Sequence, residues 1–460
     1  MTELNKKRDG FSSKWGFILA CIGSAVGMGN LWRFPVMVSA WGGMTFLIPY
    51  FIFVILIGST GVIEEFALGR LAQSGPVGAF GYATGKRGNR KTGEMIGLIP
   101  VLGSLALAIG YTVVMGWIFK YTWLAINGTL TSFGNNMDII GGTFGATASA
   151  FGNNMWLVIA GLVSFIIMSL GVADGIEKAN KIMMPILFFL MVGLAIYIGF
   201  QPGASDGYKY IFTVNSEMLA DPKLWIFAFG QAFFSLSIAG NGSVIYGSYL
   251  PKSEDLPNSA RNVAFFDTIA ALIAAFVIIP AMAVAGSELS AGGPGLMFIY
   301  LVNVINQMAA GRIIIVVFYV AVLFAGTSSI INLYEAPVAY LQEQFNIKRL
   351  PASAIINIGG LIVAIFIQGI IEGWMDAVSI YIAPLGALLA GIMFFWILDK
   401  DEALSEVNLG RTKPIGSWFY PLGKYLYVLL AAIALIAGAV LGGIGSVSYT
   451  HLTLPTTPYV

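Results

Sequence analysis

Apolar residues run along this chain in blocks of 20 or more, and the charges collect in the short stretches between them. A membrane-crossing helix needs roughly 20 predominantly apolar residues, and inside lipid a helix satisfies its own backbone polar groups. The blocks predict helices near residues 14–37, 44–69, 96–124, 155–172, 182–201, 224–250, 262–286, 311–342, 353–371, 374–398 and 419–445, about eleven in all. Two of them are spoiled at mid-depth. The first contains SAVGMGNLWRF (residues 24–34), with Asn30, Arg33 and several glycines; the sixth contains SLSIAGNGS (residues 235–243). Glycines in membrane helices ordinarily serve close packing. Two matched patches that also carry Asn30, Arg33, Ser235, Ser237 and Asn241, each opening a block of five spans, point instead to an inverted-repeat transporter with discontinuous helices. A helix broken in lipid bares amides that favour a carboxylate and carbonyls that favour a cation. A third patch, FAGTSS (residues 324–329) in the eighth span, adds hydroxyl oxygens suited to a hard cation.

The expected fold is therefore an all-α integral membrane protein of about eleven helices. It forms a single transporter domain over residues 1–445, with repeats at about 14–201 and 224–398 and an extra helix at 419–445. The Gly-, Asn- and Thr-rich outer segment 125–154 reads as a loop, and 287–310 as a short hairpin over the outer mouth. Residues 447–460 have no helical period and read as foreign to the fold.

Composition agrees: 57% of the 460 residues are hydrophobic and 10% charged, against about 25% charged in soluble domains. The single cysteine, Cys21, leaves no disulfide framework, and the single histidine, His451, removes histidine-based catalysis and metal binding. A net charge of +1 argues against nucleic acid as a partner. No nucleophile–base pair supports an enzyme. Nineteen of the 24 Lys and Arg residues fall in or beside segments that are internal if the N-terminus is internal, which orients the chain with a cytoplasmic N-terminus. Residues 1–11, without a cleavage site, read as a tail and not a signal peptide.

Charges within apolar spans are costly and mark function. Glu64 and Glu65 read as an anchor near the inner end of the second span. Arg33 and Asp376 lie where a pair would close the outer vestibule. Asp267, in VAFFDTIAAL, has apolar neighbours on every side and reads as facing a cation, a structural hydrogen bond being the alternative.

GSAVGMGNLWRFP, GQAFFSLS and AGTSS, in this order and in these spans, resemble the neurotransmitter:sodium symporters, a family among those from which the discontinuous-helix rule was drawn. The resemblance runs from about residue 8 to 445 and is to the bacterial amino-acid branch, which includes the leucine and multi-hydrophobic amino-acid transporters. It implies a multi-pass protein of a bacterial inner membrane whose ligands are an amino acid and about two sodium ions. The first sodium site maps onto Ala25, Asn30, Ser235, Asp267 and the substrate carboxylate. The second maps onto Gly23, Val26, Ala325, Ser328 and Ser329. The substrate pocket maps onto Ser24, Ala25, Gly27, Gly29, Leu107, Tyr111, Phe234, Ser235, Ser237, Gly240, Ser329 and Leu333.

The implied outer gate is Arg33 with Asp376 over Tyr111 and Phe234; the inner gate is Arg8 with Glu343. Phe11 stands where relatives often carry tryptophan. Gly175 and Pro185 match a motif that lets the fifth span unwind. Asp267 takes a position that is asparagine in animal members, beside a chloride site that Tyr50, Gln231 and Ser235 outline, which implies no chloride requirement. Gly240 replaces a bulky aromatic of the leucine transporter and implies a large hydrophobic or aromatic substrate. A proton-coupled permease of the same class is the nearest rival, and a non-transporting amino-acid sensor uses the same binding residues.

Overall fold

A computed structural model describes residues 10–27, 29–238, 241–284 and 295–441. Among these every regular element is helical. By length and apolarity seven helices qualify as membrane crossings, or eight when a bent pair counts as one. The longest, Arg349–Ile397, has 49 residues and holds two expected spans. At 1.5 Å per residue it exceeds twice the roughly 30 Å apolar core. A 3-10 turn at Gln368–Ile370, with Ile370 at φ −125° and ψ 17°, divides it.

The first expected span is α1 (Lys14–Ala25), a π-helical turn Gly29–Arg33 and α2 (Phe34–Ala40), bent by 50° across the break. Ser13 caps α1 by accepting from the Gly16 amide at 3.0 Å, a cap worth about 1 kcal/mol. The second span is α3 (Met44–Ser59) continued by α4 (Gly61–Ala72). After α5 (Pro76–Gly85) comes the third, α6 (Arg90–Ile126), and then the fourth, α7 (Asn154–Ser169). The fifth is a π-helical stretch Val172–Glu177, which contains Gly175, followed by α8 (Lys178–Gly199), which contains Pro185.

The sixth span is split into α9 (Pro222–Ser235) and α10 (Gly242–Gly247). The seventh is α11 (Leu256–Val284) and the eighth α12 (Gly311–Phe345). The ninth is α13 (Arg349–Ile367), and the tenth contains α14 (Ala383–Ile392). After the short polar helix α15 (Lys400–Asn408), the chain enters a last span that ends in α16 (Val428–Leu441).

Two expectations change. Residues 125–154 are not an open loop: they fold into short helices Thr129–Ser132 and Met137–Ala148, the latter capped by Asn136, whose side chain accepts from the Asp138 and Ile139 amides. Of the hairpin expected at 287–310, residues 287–294 lie outside the described residues, and Leu296–Asn306 is a short helix whose Phe298 ring stacks on Phe144 at 4.9 Å and meets Tyr121 edge-on at 4.9 Å. It seals that cap. Glu64 and Glu65 do not face an aqueous boundary. Both are fully buried, and Glu65 Oε1 accepts from Asn241 Nδ2 at 2.9 Å, tying the second span to the break in the sixth.

Other buried charges pair. Arg349 makes a bidentate contact with Glu335 (both 2.6 Å), and the Tyr249 hydroxyl donates to Glu335 at 2.6 Å. Arg70 pairs with Glu406 at 2.5 Å and donates to the Glu254 carbonyl at 2.7 Å. Such pairs hold helices in register, since removing one partner strands a charge in apolar surroundings.

Candidate functional site

The break in the first span is built by Asn30. In an unbroken helix the Gly27 amide would bond the Gly23 carbonyl; here it donates to Asn30 Oδ1 at 3.2 Å. Gly23 thereby loses its helical partner. The other end of the same amide, Nδ2, donates to Asp267 Oδ1 at 2.7 Å, to the Asp267 carbonyl at 3.1 Å and to Ser235 Oγ at 3.3 Å. Ser235 Oγ in turn donates to Asp267 Oδ2 at 2.7 Å. Asn30, Ser235 and Asp267 are almost wholly buried. One asparagine thus closes the break and joins the first, sixth and seventh spans around a carboxylate. Next to it Tyr50 Oη and Gln231 Oε1 are buried without a hydrogen-bond partner among the described residues.

In the sixth span Ser237 (φ 56°) and Asn241 (φ 55°) adopt left-handed backbone, which asparagine tolerates and serine seldom adopts. The two breaks are stitched together by Ser237 Oγ, which donates to the Ser24 carbonyl at 2.7 Å. Between them lies a cavity of about 40 Å³. Of the expected pocket residues, Ser24, Ala25, Gly27, Gly29, Leu107, Tyr111, Phe234, Ser235, Ser237, Ser329 and Leu333 all line it. Gly240 lies outside the described residues.

Asn332 and Gly242 also line the cavity, and sequence reasoning did not single them out for it. Asn332 Nδ2 donates to Ser24 Oγ. Its signal was present in the helical period, since Asn332 lies three residues beyond Ser329, on one face with it.

The expected second sodium cluster is also brought together, across α1 and α12. A Cβ on Gly23 would lie 3.1 Å from Ser328 Cβ, and one on Gly27 would lie 2.1 Å from Ser329 Oγ. Only glycine lets these backbones approach the hydroxyls so closely. Ser328 Oγ donates to the Ala325 carbonyl at 2.8 Å, and Val26 and Ala325 are fully buried. From the fifth span, Asn180 Oδ1 points at Gly23, 1.9 Å from where a Cβ would be.

Over the cavity the Arg33 guanidinium stacks 4.7 Å from the Phe234 ring centroid. Asp376 is half-buried in the tenth span, near Glu372; no direct ion pair joins it to Arg33 among the described residues. On the N-terminal side of the first break Phe11 packs edge-on against Phe17 (5.3 Å) and Tyr246 (5.5 Å). Glu177 accepts from the Ser12 amide (2.6 Å), Ser12 Oγ (2.7 Å) and Ser13 Oγ (2.9 Å), pinning the start of α1 to the fifth span. Glu343 accepts from the Gly75 amide at 3.1 Å and from Ser74 Oγ at 2.5 Å. Its expected partner Arg8 lies outside the described residues.

A chamber between two broken helices, lined by hydroxyls and glycine backbone, with the buried Asp267 carboxylate behind Ser235, is the arrangement of a membrane carrier. The comparisons with known proteins agree. The model of the sodium:neurotransmitter symporter family matches residues 8–138 and 142–399. An uncharacterized sodium-dependent transporter of Methanocaldococcus jannaschii is 31% identical, over 94% of this chain and 89% of its own. The sodium-dependent transporter YhdH of Bacillus subtilis is 30% identical, over 93% and 96%. The crystal structure of MhsT in complex with L-phenylalanine superposes with a TM-score of 0.82 at 31% identity, covering 94% of this chain and all of that one. This chain belongs to the sodium:neurotransmitter symporter family, a family of transporters and not of enzymes.

Proposed function

We propose that the protein imports neutral amino acids with bulky hydrophobic or aromatic side chains, driven by sodium and independent of chloride, across a bacterial inner membrane in which its N-terminus is cytoplasmic. The observation that carries this reading is the convergence of Asn30, Ser235 and Asp267 beside the cavity between the breaks. Sodium at the first site takes ligands from Ala25, Asn30, Ser235, Asp267 and the substrate carboxylate. Because amino acid and ion complete one shell, each raises the affinity for the other. A second sodium binds Gly23, Val26, Ala325, Ser328 and Ser329. The substrate carboxylate also meets the amides around Gly27 and Gly29 and the Tyr111 hydroxyl, and its ammonium meets carbonyls of the broken helices.

Selectivity follows from the pocket wall, which carries Leu107, Phe234 and Leu333 and no charged side chain, and from the glycine that the resemblance assigns to it at position 240. The closed cavity of about 40 Å³ is smaller than the roughly 150 Å³ that holds a benzene ring, so a bulky substrate loads only as the wall moves outward. The Phe234 lid under Arg33 is the side chain placed to do so. Arg33 and Asp376 close the outer side, and Arg8 and Glu343 the inner side. Unwinding of the fifth span between Gly175 and Pro185 opens the second sodium site to the cytoplasm. Pro185 lacks the amide that would bond Lys181, which lowers the cost of that step. Asp267 supplies the fixed negative charge that makes an anion unnecessary. The MhsT complex, in which the bound molecule is L-phenylalanine, supports the substrate class.

Equilibrium binding of labelled phenylalanine to purified protein, titrated with sodium in gluconate buffer, tests this. Sodium-dependent, saturable binding without chloride is expected. Binding indifferent to sodium, or lost when gluconate replaces chloride, would contradict it.

A further inference from the structure

The lipid-facing surface carries a groove of about 690 Å³ between the second span and the seventh, bounded on the inner side by the segment that precedes the last span. Its walls are apolar: Phe51 and Ile55 from α3, Phe265 from α11, and Trp418. Its floor is a close crossing, where a Cβ on Gly58 would come within 3.0 Å of Ala264 Cβ. Trp418 folds back over Gly416, whose missing Cβ leaves room for the indole.

Two arginines, Arg261 and Arg411, line the same groove at its inner end. Arg261 is exposed and donates to Asn258 Oδ1 at 2.9 Å. Arg411 pairs with Asp255 at 2.7 Å and donates to the Lys413 carbonyl at 2.9 Å. Each guanidinium has five N–H donors in a fork that suits a phosphate, so these contacts leave most of them available. With one acid, Asp255, against two arginines, this end carries net positive charge. Nearby Glu254 is paired with Lys14 at 3.2 Å. Arg261 lies five residues into α11 from Leu256, about 7.5 Å at 1.5 Å per residue, a depth at which an arginine reaches the inner headgroups. Trp418, 48% exposed, has the place of an interfacial aromatic. An apolar face alone would be wetted by any lipid; arginines at one mouth of a built groove select the headgroup.

We propose that this groove binds an anionic phospholipid of the inner leaflet, with its phosphate on Arg261 and Arg411 and an acyl chain along Phe51, Ile55 and Phe265. The site is independent of the substrate reading, since none of these residues touches the cavity between the broken helices.

The test is thermal unfolding of the full chain in dodecyl maltoside, with added dioleoyl phosphatidylglycerol, dioleoyl phosphatidylcholine or inorganic phosphate. A ligand of the folded state raises the midpoint saturably. Phosphatidylglycerol is expected to raise it by several degrees, and the other two by far less. R261Q and R261Q/R411Q should lose the difference, and R90Q/K91Q, which removes the same charge elsewhere on the inner face, should keep it. I55W fills the groove without altering charge and should also weaken the effect. An equal shift from phosphatidylcholine would mean a groove without headgroup recognition, and one from inorganic phosphate a free-anion site. A shift retained in R261Q and I55W, or lost in R90Q/K91Q, would mean diffuse surface electrostatics. Each of these results would overturn the proposal.

Discussion

Replacing Asp267 by asparagine removes one charge and little else. The carboxylate accepts two hydrogen bonds of 2.7 Å, from Asn30 on one oxygen and Ser235 on the other. An amide at this position keeps its oxygen toward Asn30, which can only donate through Nδ2, and turns its NH₂ toward Ser235, whose hydroxyl rotates to accept. The geometry therefore survives and the charge does not. A unit charge about 4 Å from a sodium ion, at an effective dielectric of about 20, is worth about 4 kcal/mol. Water and the ion's other ligands offset part of this, and about 1.4–2.8 kcal/mol is expected to remain, a loss of roughly ten- to a hundredfold in affinity. The assay is sodium-dependent binding of labelled phenylalanine by Asp267→Asn, in gluconate and in chloride. The account predicts weakened sodium dependence in gluconate and partial recovery in chloride, because an anion can then sit beside Tyr50 Oη and Gln231 Oε1, for which the described residues offer no hydrogen-bond partner. Wild-type sodium affinity in gluconate would refute the reasoning.

Three further substitutions probe the rest of the account. Gly27→Ala puts a methyl group 2.1 Å from Ser329 Oγ and is expected to reduce sodium-dependent binding by at least about tenfold; unchanged binding would remove Ser329 from the ion's shell. Gly240→Phe is expected to weaken tryptophan binding by roughly tenfold or more while leaving leucine nearly unaffected, since a pocket discriminates size by about 1–3 kcal/mol per methylene; equal effects on both would end the size argument. Arg70→Met leaves the Glu406 carboxylate, 4% exposed, buried without its cation, at a cost of about 3–5 kcal/mol. A clear fall in the unfolding midpoint in detergent is expected, and an unchanged midpoint would contradict the pairing.

The spans were legible because a membrane imposes a length on apolar blocks, and the breaks because glycine, asparagine and serine at mid-depth violate that pattern. The pocket was legible only through the resemblance. Nothing in the spacing of Leu107, Phe234 and Ser329 brings them together; their convergence is tertiary. The helix Met137–Ala148 was missed because GGTFGATA is rich in glycine and threonine and weak in helical propensity, and it is packing against Phe298 that holds it. Glu65 was misread for a related reason. Its position along the span resembles that of a boundary anchor, while the partner that buries it, Asn241, is distant in sequence. Asn332 shows the reverse: its face was readable from Ser329, but a lone asparagine in an apolar helix has many possible partners until the Ser24 contact is seen.

The central claim is that the broken helices couple sodium to amino-acid movement. Its most direct test is uptake of labelled tryptophan into proteoliposomes, with an inward sodium gradient set against an equal choline gradient. The account predicts accumulation above equilibrium only with sodium, competed by tyrosine and poorly by glycine. Equal uptake under both gradients would contradict it.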